Sequence, residues 1–394
     1  MRLPRLAGPA VAAAVTLVML GGIAHAQQLM IVGNDQKIQF ADGKPTTVAP
    51  GKDTLSVIDI SKPAAPRIVA TIPLDNTIVG PPTNLAITPS RDLALVADTM
   101  KGVPKDNAFA LAPDNRLFVI DLTANPPALV NTLTLGNAPT GLAISPDGKW
   151  ALVCNRDDGT ISVLSINGHE VKVADTVTVG AAADKVSAVA ISPDGKTALA
   201  VKPGSDKVAV LSIANGKVSY DAKSDLPANN YPYNVAITPN GQIALIANTG
   251  GGGSSDGNVD TVSVVDMTAK PIHIIDHIAV GDSPEGLAIS PKGNLAVTVE
   301  ARGSNRPKDT WYYHPGGAVS VLRIDGKKVT RVGEVTVGAL PEGAAFSADG
   351  SHIYVGNFID SDLSVLQVMG DRVTDTGKRF KLPGQPASVR AGPQ

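Results

Sequence analysis

Glu285 and Glu342 are the residues whose type and setting best suit them to chemistry. Each lies between a proline and a glycine, in Pro284-Glu285-Gly286 and Pro341-Glu342-Gly343, so one kind of element carries both. Two carboxyls brought side by side share a proton or hold a divalent cation; the plainer alternative is a pair of solvated acids at the mouth of a water-filled channel. Glu300 is a third acid nearby. Arg390 stands where six related segments carry alanine, at Ala86, Ala143, Ala190, Ala236, Ala288 and Ala345. A cation there would pair with Glu285, Glu342 or an anionic ligand, unless it belongs to a partly ordered tail. Used together, the glutamates as ligands or as acid and base and Arg390 as a guide for an anionic substrate would perform hydrolysis.

Residues so far apart in sequence act together only if a repeated scaffold gathers them. The stretch 141–165, GLAISPDGKWALVCNRDDGTISVLS, shows the unit: apolar runs alternate with the period of two that strands need, and Ser145-Pro146-Asp147-Gly148 makes a tight turn. The inner run returns as LAITP (85–89), LAISP (142–146), VAISP (189–193), VAITP (235–239), LAISP (287–291) and AAFSA (344–348). A seventh copy is the C-terminal segment 386–393. The complementary piece stands at the other end, where MIVGN (30–34) matches IYVGN (353–357), the second strand of a unit. A first unit completed by the last residues is how a circular array closes, which predicts an all-β, seven-bladed β-propeller of four-stranded antiparallel blades, residues 27–394.

Within that frame each unit runs inner strand, turn, second strand, variable loop, third strand, short turn, outer strand and a V-G-x-x-P link. Alternating strand direction puts the links and the variable loops on one face and the SPDG turns on the other. The long loops predicted on the first face span 34–52, 98–116, 248–260 and 300–317, and loops on a rigid scaffold are where ligand sites are built. The repeats also align the ends of the second strands: Asn34, Asp98, Asn155, Lys202, Asn248, Glu300 and Asn357. The recurring asparagine reads as a bond to local backbone, with Asn155, Asn248 and Asn357 as further ligands if the site is hydrolytic. Asp98, Lys202 and Glu300 depart from the pattern and are the more informative ligand-binding candidates. The inner strands begin with Thr83, Thr140, Ser187, Tyr233, Glu285, Glu342 and Ala387 at the same position, which places both glutamates near the axis in neighbouring blades.

The loop 302–317 concentrates aromatics in a chain that has few, and Trp311 and His314 within it form a binding lid or partner surface, or else cover a blade edge. His273 and His277 lie four residues apart along a strand, roughly 13 Å, too far to chelate one ion.

The units SPDGK-x3-V-x-N, VSVLSI and TVTVG resemble the bacterial YVTN-repeat propellers, including the periplasmic YncE-type proteins, and more distantly the lactonase-like propellers. The resemblance covers roughly residues 29–393 and implies the propeller fold. Its members bind, scaffold or hydrolyse, so it leaves the activity open.

Composition bounds the rest. Residues 1–26 combine Arg2 and Arg5, a short apolar run and Ala24-His25-Ala26, the pattern of a cleaved secretory signal. Without it, 34 basic residues fall to 32 against 36 acidic ones, about −4, which does not suit nucleic acid. The single cysteine, Cys154, allows no internal disulfide or C-x-x-C-H haem site and reads as a core residue. No G-x-S-x-G or H-E-x-x-H motif occurs, and two tryptophans do not suit a quinone-dependent dehydrogenase. The expectation is a periplasmic or secreted monomer, without a membrane span after signal cleavage, that binds a small molecule, glycan or periplasmic protein through its loop face. The alternative is a lactonase-like, metal-assisted hydrolase, with no organic cofactor and a divalent cation such as Ca2+ at most.

Overall fold

The computed structural model describes residues 27–214 and 216–392; the proposed signal, 1–26, lies outside them. Seven four-stranded antiparallel sheets follow one another along the chain, and blade 4 carries an additional short strand at its rim. Blade 1 is assembled from both ends. Its innermost strand is Gln385–Ala391, followed outward by Leu29–Asp35, Thr54–Asp59 and Arg67–Pro73. Met30 faces Ala391 and Val32 faces Val389 across the closing ladder, so the ring closes as the sequence predicts.

Burial explains why these segments are strands. The second strands, such as Ile243–Asn248, are buried along their whole length because a neighbouring blade covers each sheet face. Outer strands such as Ala128–Thr134 are largely exposed. Between blades 3 and 4, Leu152, Ile161, Val189, Ala200 and Leu211 form one apolar cluster, and Cys154 is wholly buried within it. The turn face repeats one device: the Ser145 hydroxyl bonds Asp147 Oδ1 (2.6 Å) and accepts from the backbone N–H of Trp150 (3.1 Å). Ser192 with Asp194 and Ser347 with Asp349 repeat the pairing.

Two of the four expected loops are strands. In blade 2 the second and third strands run on as a long hairpin, Leu93–Lys105 and Ala108–Asp121, reversing at Asp106 with φ 52°. In blade 1, the insertion after Leu29–Asp35 folds into a small hairpin, Ile38–Ala41 with Lys44–Thr47. No helix among the described residues is long and apolar enough to cross a membrane.

Candidate functional site

At the mouth of the channel the chain turns sharply before four of the inner strands. Ala138, Tyr231, Ser283 and Leu340, each followed by proline, take left-handed backbone with φ between 48° and 56°. Non-glycine residues hold this conformation at a cost of roughly 1–2 kcal/mol, and strain of this kind gathers at functional sites. Inner strands then meet almost backbone to backbone: a Cβ on Gly286 would lie 2.1 Å from the Glu342 carbonyl oxygen, so only glycine fits. This approach brings Glu285 and Glu342 together.

The two carboxyls face each other within reach of a shared proton, which would relieve the repulsion between them. Burial raises both above the usual carboxylate range, Glu285 to about 7 and Glu342 further, the latter also through repulsion from Glu285. Glu342 is 1 % exposed and one of its oxygens has no hydrogen-bond donor, whereas Glu285 is part exposed. Tyr233, at the same ring position in blade 5, feels both carboxylates and the Arg156 guanidinium; burial, then these acids, push its hydroxyl far above its usual value. Its ring stacks on Tyr231 at 6.1 Å between centroids. Around the ring the hydroxyls of Thr83 and Thr140 and the Nε of Arg156 are buried without partners. So many unmet polar atoms on one axis call for water or a hydroxylated ligand.

An apolar cover lies over one side. Ile38 and Phe40 of the small hairpin pack with Ala301, Leu340, Phe358 and Ala387, and Leu111 of the blade 2 hairpin joins them. The hairpin tip reaches blade 6, where a Cβ on Gly43 would fall 2.1 Å from the Arg306 carbonyl carbon. Lys37 anchors its base, with Nζ 2.7 Å from Asp53 Oδ2 and bonded to the Asn76 carbonyl.

The remaining candidates lie elsewhere. Asn155 donates to Thr160 and Ser162, Asn248 to Thr261 and Ser263, and Asn357 to Asp362 and Ser364. All three are buried ties between the second and third strands. Lys202 in blade 4 bonds Asp225 (2.5 Å), the Tyr220 hydroxyl and the Val179 carbonyl. Asp98 belongs to a charged knot with Arg116 (3.4 Å), Asp114 and Lys37, where burial lifts its carboxyl well above the usual range. For Arg390 the pairing with the glutamates is corrected: among the described residues it forms no ion pair, and its Nε donates to the Leu85 carbonyl at 3.4 Å in the turn-side half of the channel. Three residues along a strand, about 10 Å, separate its level from that of the glutamates.

Glu300 also points away from the pair. It takes the place of the tie-forming asparagine, accepting from Thr298 and facing the Ser320 hydroxyl. Only a protonated carboxyl can donate there as an amide does, and burial raises it from 4.5 to about 7. Such a group binds its proton more tightly folded than unfolded. Its stabilisation is therefore complete below the unfolded value and lost as pH rises through the folded one, on the order of 3 kcal/mol by pH 8. Glu300→Gln keeps both bonds and is expected to remove several degrees of the fall in melting temperature between pH 5 and 8. An unchanged pH dependence in thermal unfolding would contradict this.

Trp311 is 81 % exposed and meets Tyr312 edge-on at 5.1 Å. With His314, Arg302 and Asp282 they line a groove of about 250 Å³ on the loop face. The loop is held to blade 5 by Arg306 and Tyr312, which both bond the Ser255 carbonyl.

Tyr233 and Arg156 belong to the mouth but were not candidates by sequence. Their signal was present: Tyr233 is the only aromatic among the seven ring positions, and Arg156 the only cation one residue past the second strands.

Comparison with known proteins supports the architecture. Residues 121–252 match the family described as lactonase, 7-bladed beta-propeller. The fold is similar to that of a candidate 6-phosphogluconolactonase from Bacteroides fragilis, at 16% identity and a TM-score of 0.70, covering 94% of this chain and 99% of that one. It is also similar to the periplasmic gluconolactonase of Pseudomonas aeruginosa, at 16% identity and 0.69, covering 93% and 99%. A functionally unknown protein from Desulfotomaculum acetoxidans aligns at 15% identity and 0.68, covering 93% and 99%. At these identities the likeness is one of fold. No curated protein matches the chain.

Proposed function

We propose that this propeller hydrolyses a small, hydroxylated cyclic ester at the channel mouth. The observation that carries the reading is the Glu285–Glu342 pair, two facing carboxyls at the mouth, Glu342 buried, both raised above the usual carboxylate range by burial. The partial family match and the gluconolactonase named among the similar folds favour a lactone as substrate. Glu285, the more exposed and more acidic member, is the base: it takes a proton from water as the oxygen attacks the lactone carbonyl. The carbonyl electrons move onto oxygen, and the Arg156 guanidinium and Tyr233 hydroxyl stabilise that oxyanion. Collapse breaks the ring C–O bond, and Glu342 gives its proton to the departing oxygen. The product is the open hydroxy acid, and transfer of a proton from Glu285 to Glu342 restores the pair. Thr83 and Thr140 supply hydroxyl partners for the substrate.

No step is routed through a divalent cation. Among the described residues no group of three or more His, Cys, Asp or Glu could hold a metal ion, and a pair that shares a proton is a poor ligand set for Ca2+, which takes six to eight oxygens.

A second reading, a binding module working through its loop face, rests on the exposed Trp311 beside its groove. In either case we assign the mature chain to the periplasm or the exterior, with residues 1–26 as the cleaved signal, and treat it as a YVTN-type monomer. The discriminating experiment follows opening of glucono-δ-lactone by pH-stat at pH 6.5. Turnover above the spontaneous rate supports hydrolysis; the spontaneous rate alone, across a panel of sugar lactones, leaves the binding module.

A further inference from the structure

On the turn side of the same channel, far from the glutamate pair, the inner strands enclose a second space. Ala143, Ala190, Ala236, Ala288 and Ala345 line a cavity of about 350 Å³ together with Phe346, and Arg390 completes the ring. A neighbouring cavity shares Arg390 and Ala143 and opens past Pro89 and Arg91. Alanine in six of seven blades leaves room; arginine in the seventh puts a charge into that room.

Among the described residues this charge has no counter-ion. Among the described residues Arg390 makes one hydrogen bond, from Nε to the Leu85 carbonyl, and the four N–H groups on its two terminal nitrogens meet no acceptor. No Asp or Glu lines either cavity. Guanidinium remains protonated even where burial disfavours its charge, so the channel holds a half-buried cation whose forked edge, free of bonds to the described residues, matches a carboxylate in shape. Apart from Arg390 and Ser290 the side chains around the cavity are apolar, with strand backbone exposed between them, so they suit a carboxylate attached to a compact apolar body. A phosphate dianion would need further charged donors, and a sugar acid would find only Ser290 and strand backbone as partners for its several hydroxyls.

We infer that the turn-side half of the channel is a binding site for a small organic monocarboxylate with an apolar body, held by the forked edge of Arg390 against the alanine ring. The site is independent of the hydrolytic reading, since it shares no residue with the mouth.

Calorimetric titration of the purified full chain tests it, with benzoate as probe, benzamide as its neutral counterpart and gluconate as a hydroxylated acid. Arg390→Ala installs the residue that the other blades carry, so the variant is expected to fold, and its melting curve checks this. Benzoate is expected to bind one to one, benzamide and gluconate not measurably. Arg390→Ala should weaken benzoate by about 10–100-fold, the value of a charge-assisted pair of hydrogen bonds, while Glu342→Gln leaves it unchanged. Three results would overturn the inference: no benzoate binding to the parent protein, equal binding by Arg390→Ala, or loss of binding in Glu342→Gln with Arg390 intact. Failure here leaves lactone opening untouched, and the reverse holds too.

Discussion

Glu342→Gln is expected to lower kcat for lactone opening by about 10²–10⁴-fold with little change in KM. That range is what a positioned general acid contributes. The argument rests on where the proton sits. Glu342 is the more buried carboxyl and the one held further above its usual range, so it carries the shared proton at neutral pH. Glutamine fills the same volume and bonds Glu285 through its amide, so folding is preserved. It cannot protonate a departing oxygen. The wild-type rate should rise as pH increases towards about 7, where the pair loses its first proton and Glu285 becomes a base, and fall again when the second is lost. In the variant the alkaline fall should vanish, because no second proton remains to be lost. A variant that retains wild-type turnover, measured by pH-stat against the spontaneous rate, would remove Glu342 from the chemistry.

The second large effect concerns closure. Deleting residues 385–394 is expected to leave no cooperatively folded protein at 25 °C. The deletion strips the partner from Met30 through Asp35, exposing a strand edge at the centre of the molecule. It also removes Val389, which packs with Met30, Val32, Ala345 and Tyr354 between blades 7 and 1. Six lost pairings at about 1 kcal/mol each, plus about 2 kcal/mol for the valine, approach the 5–15 kcal/mol that typically holds a domain together. Circular dichroism on heating reads the result. A truncated chain that melts within a few degrees of the parent would show that the ring does not depend on its closing strand.

That closing strand was legible because two ends of the chain each carried an incomplete copy of one unit, MIVGN without an inner run and PASVRAGP without the rest. Alternating apolar residues with a serine-aspartate turn identify a propeller blade wherever one sheet packs face to face on the next. The glutamate pair was legible for the same reason, since equivalent positions in adjacent copies must be neighbours in a ring. Other features escaped because the repeat says nothing about them. Asp98 to Arg116 read as a loop, yet Asp106 accepts the left-handed backbone that lets two strands continue past the blade. Arg390 was offered as a partner for the glutamates from its register alone, although three residues along the strand carry it into the opposite half of the channel. Glu300 was grouped with the other acids by charge, whereas its side chain follows the asparagines it replaces and turns outward to Ser320. Arg156 lies one residue beyond a strand end, where periodicity no longer fixes direction.

The central claim is that Glu285 and Glu342 titrate as a coupled pair that gives up the first of its two protons only near pH 7 and then holds the other between them, and it is testable without any substrate. Carbon-13 NMR of protein labelled at the glutamate carboxyls, with Glu285→Gln and Glu342→Gln used for assignment, follows each group through pH 4 to 9. The account predicts that neither ionises below about pH 6, that the first step falls near 7, and that each variant shifts the surviving partner's titration. Two carboxyls titrating independently near 4.5 would contradict it.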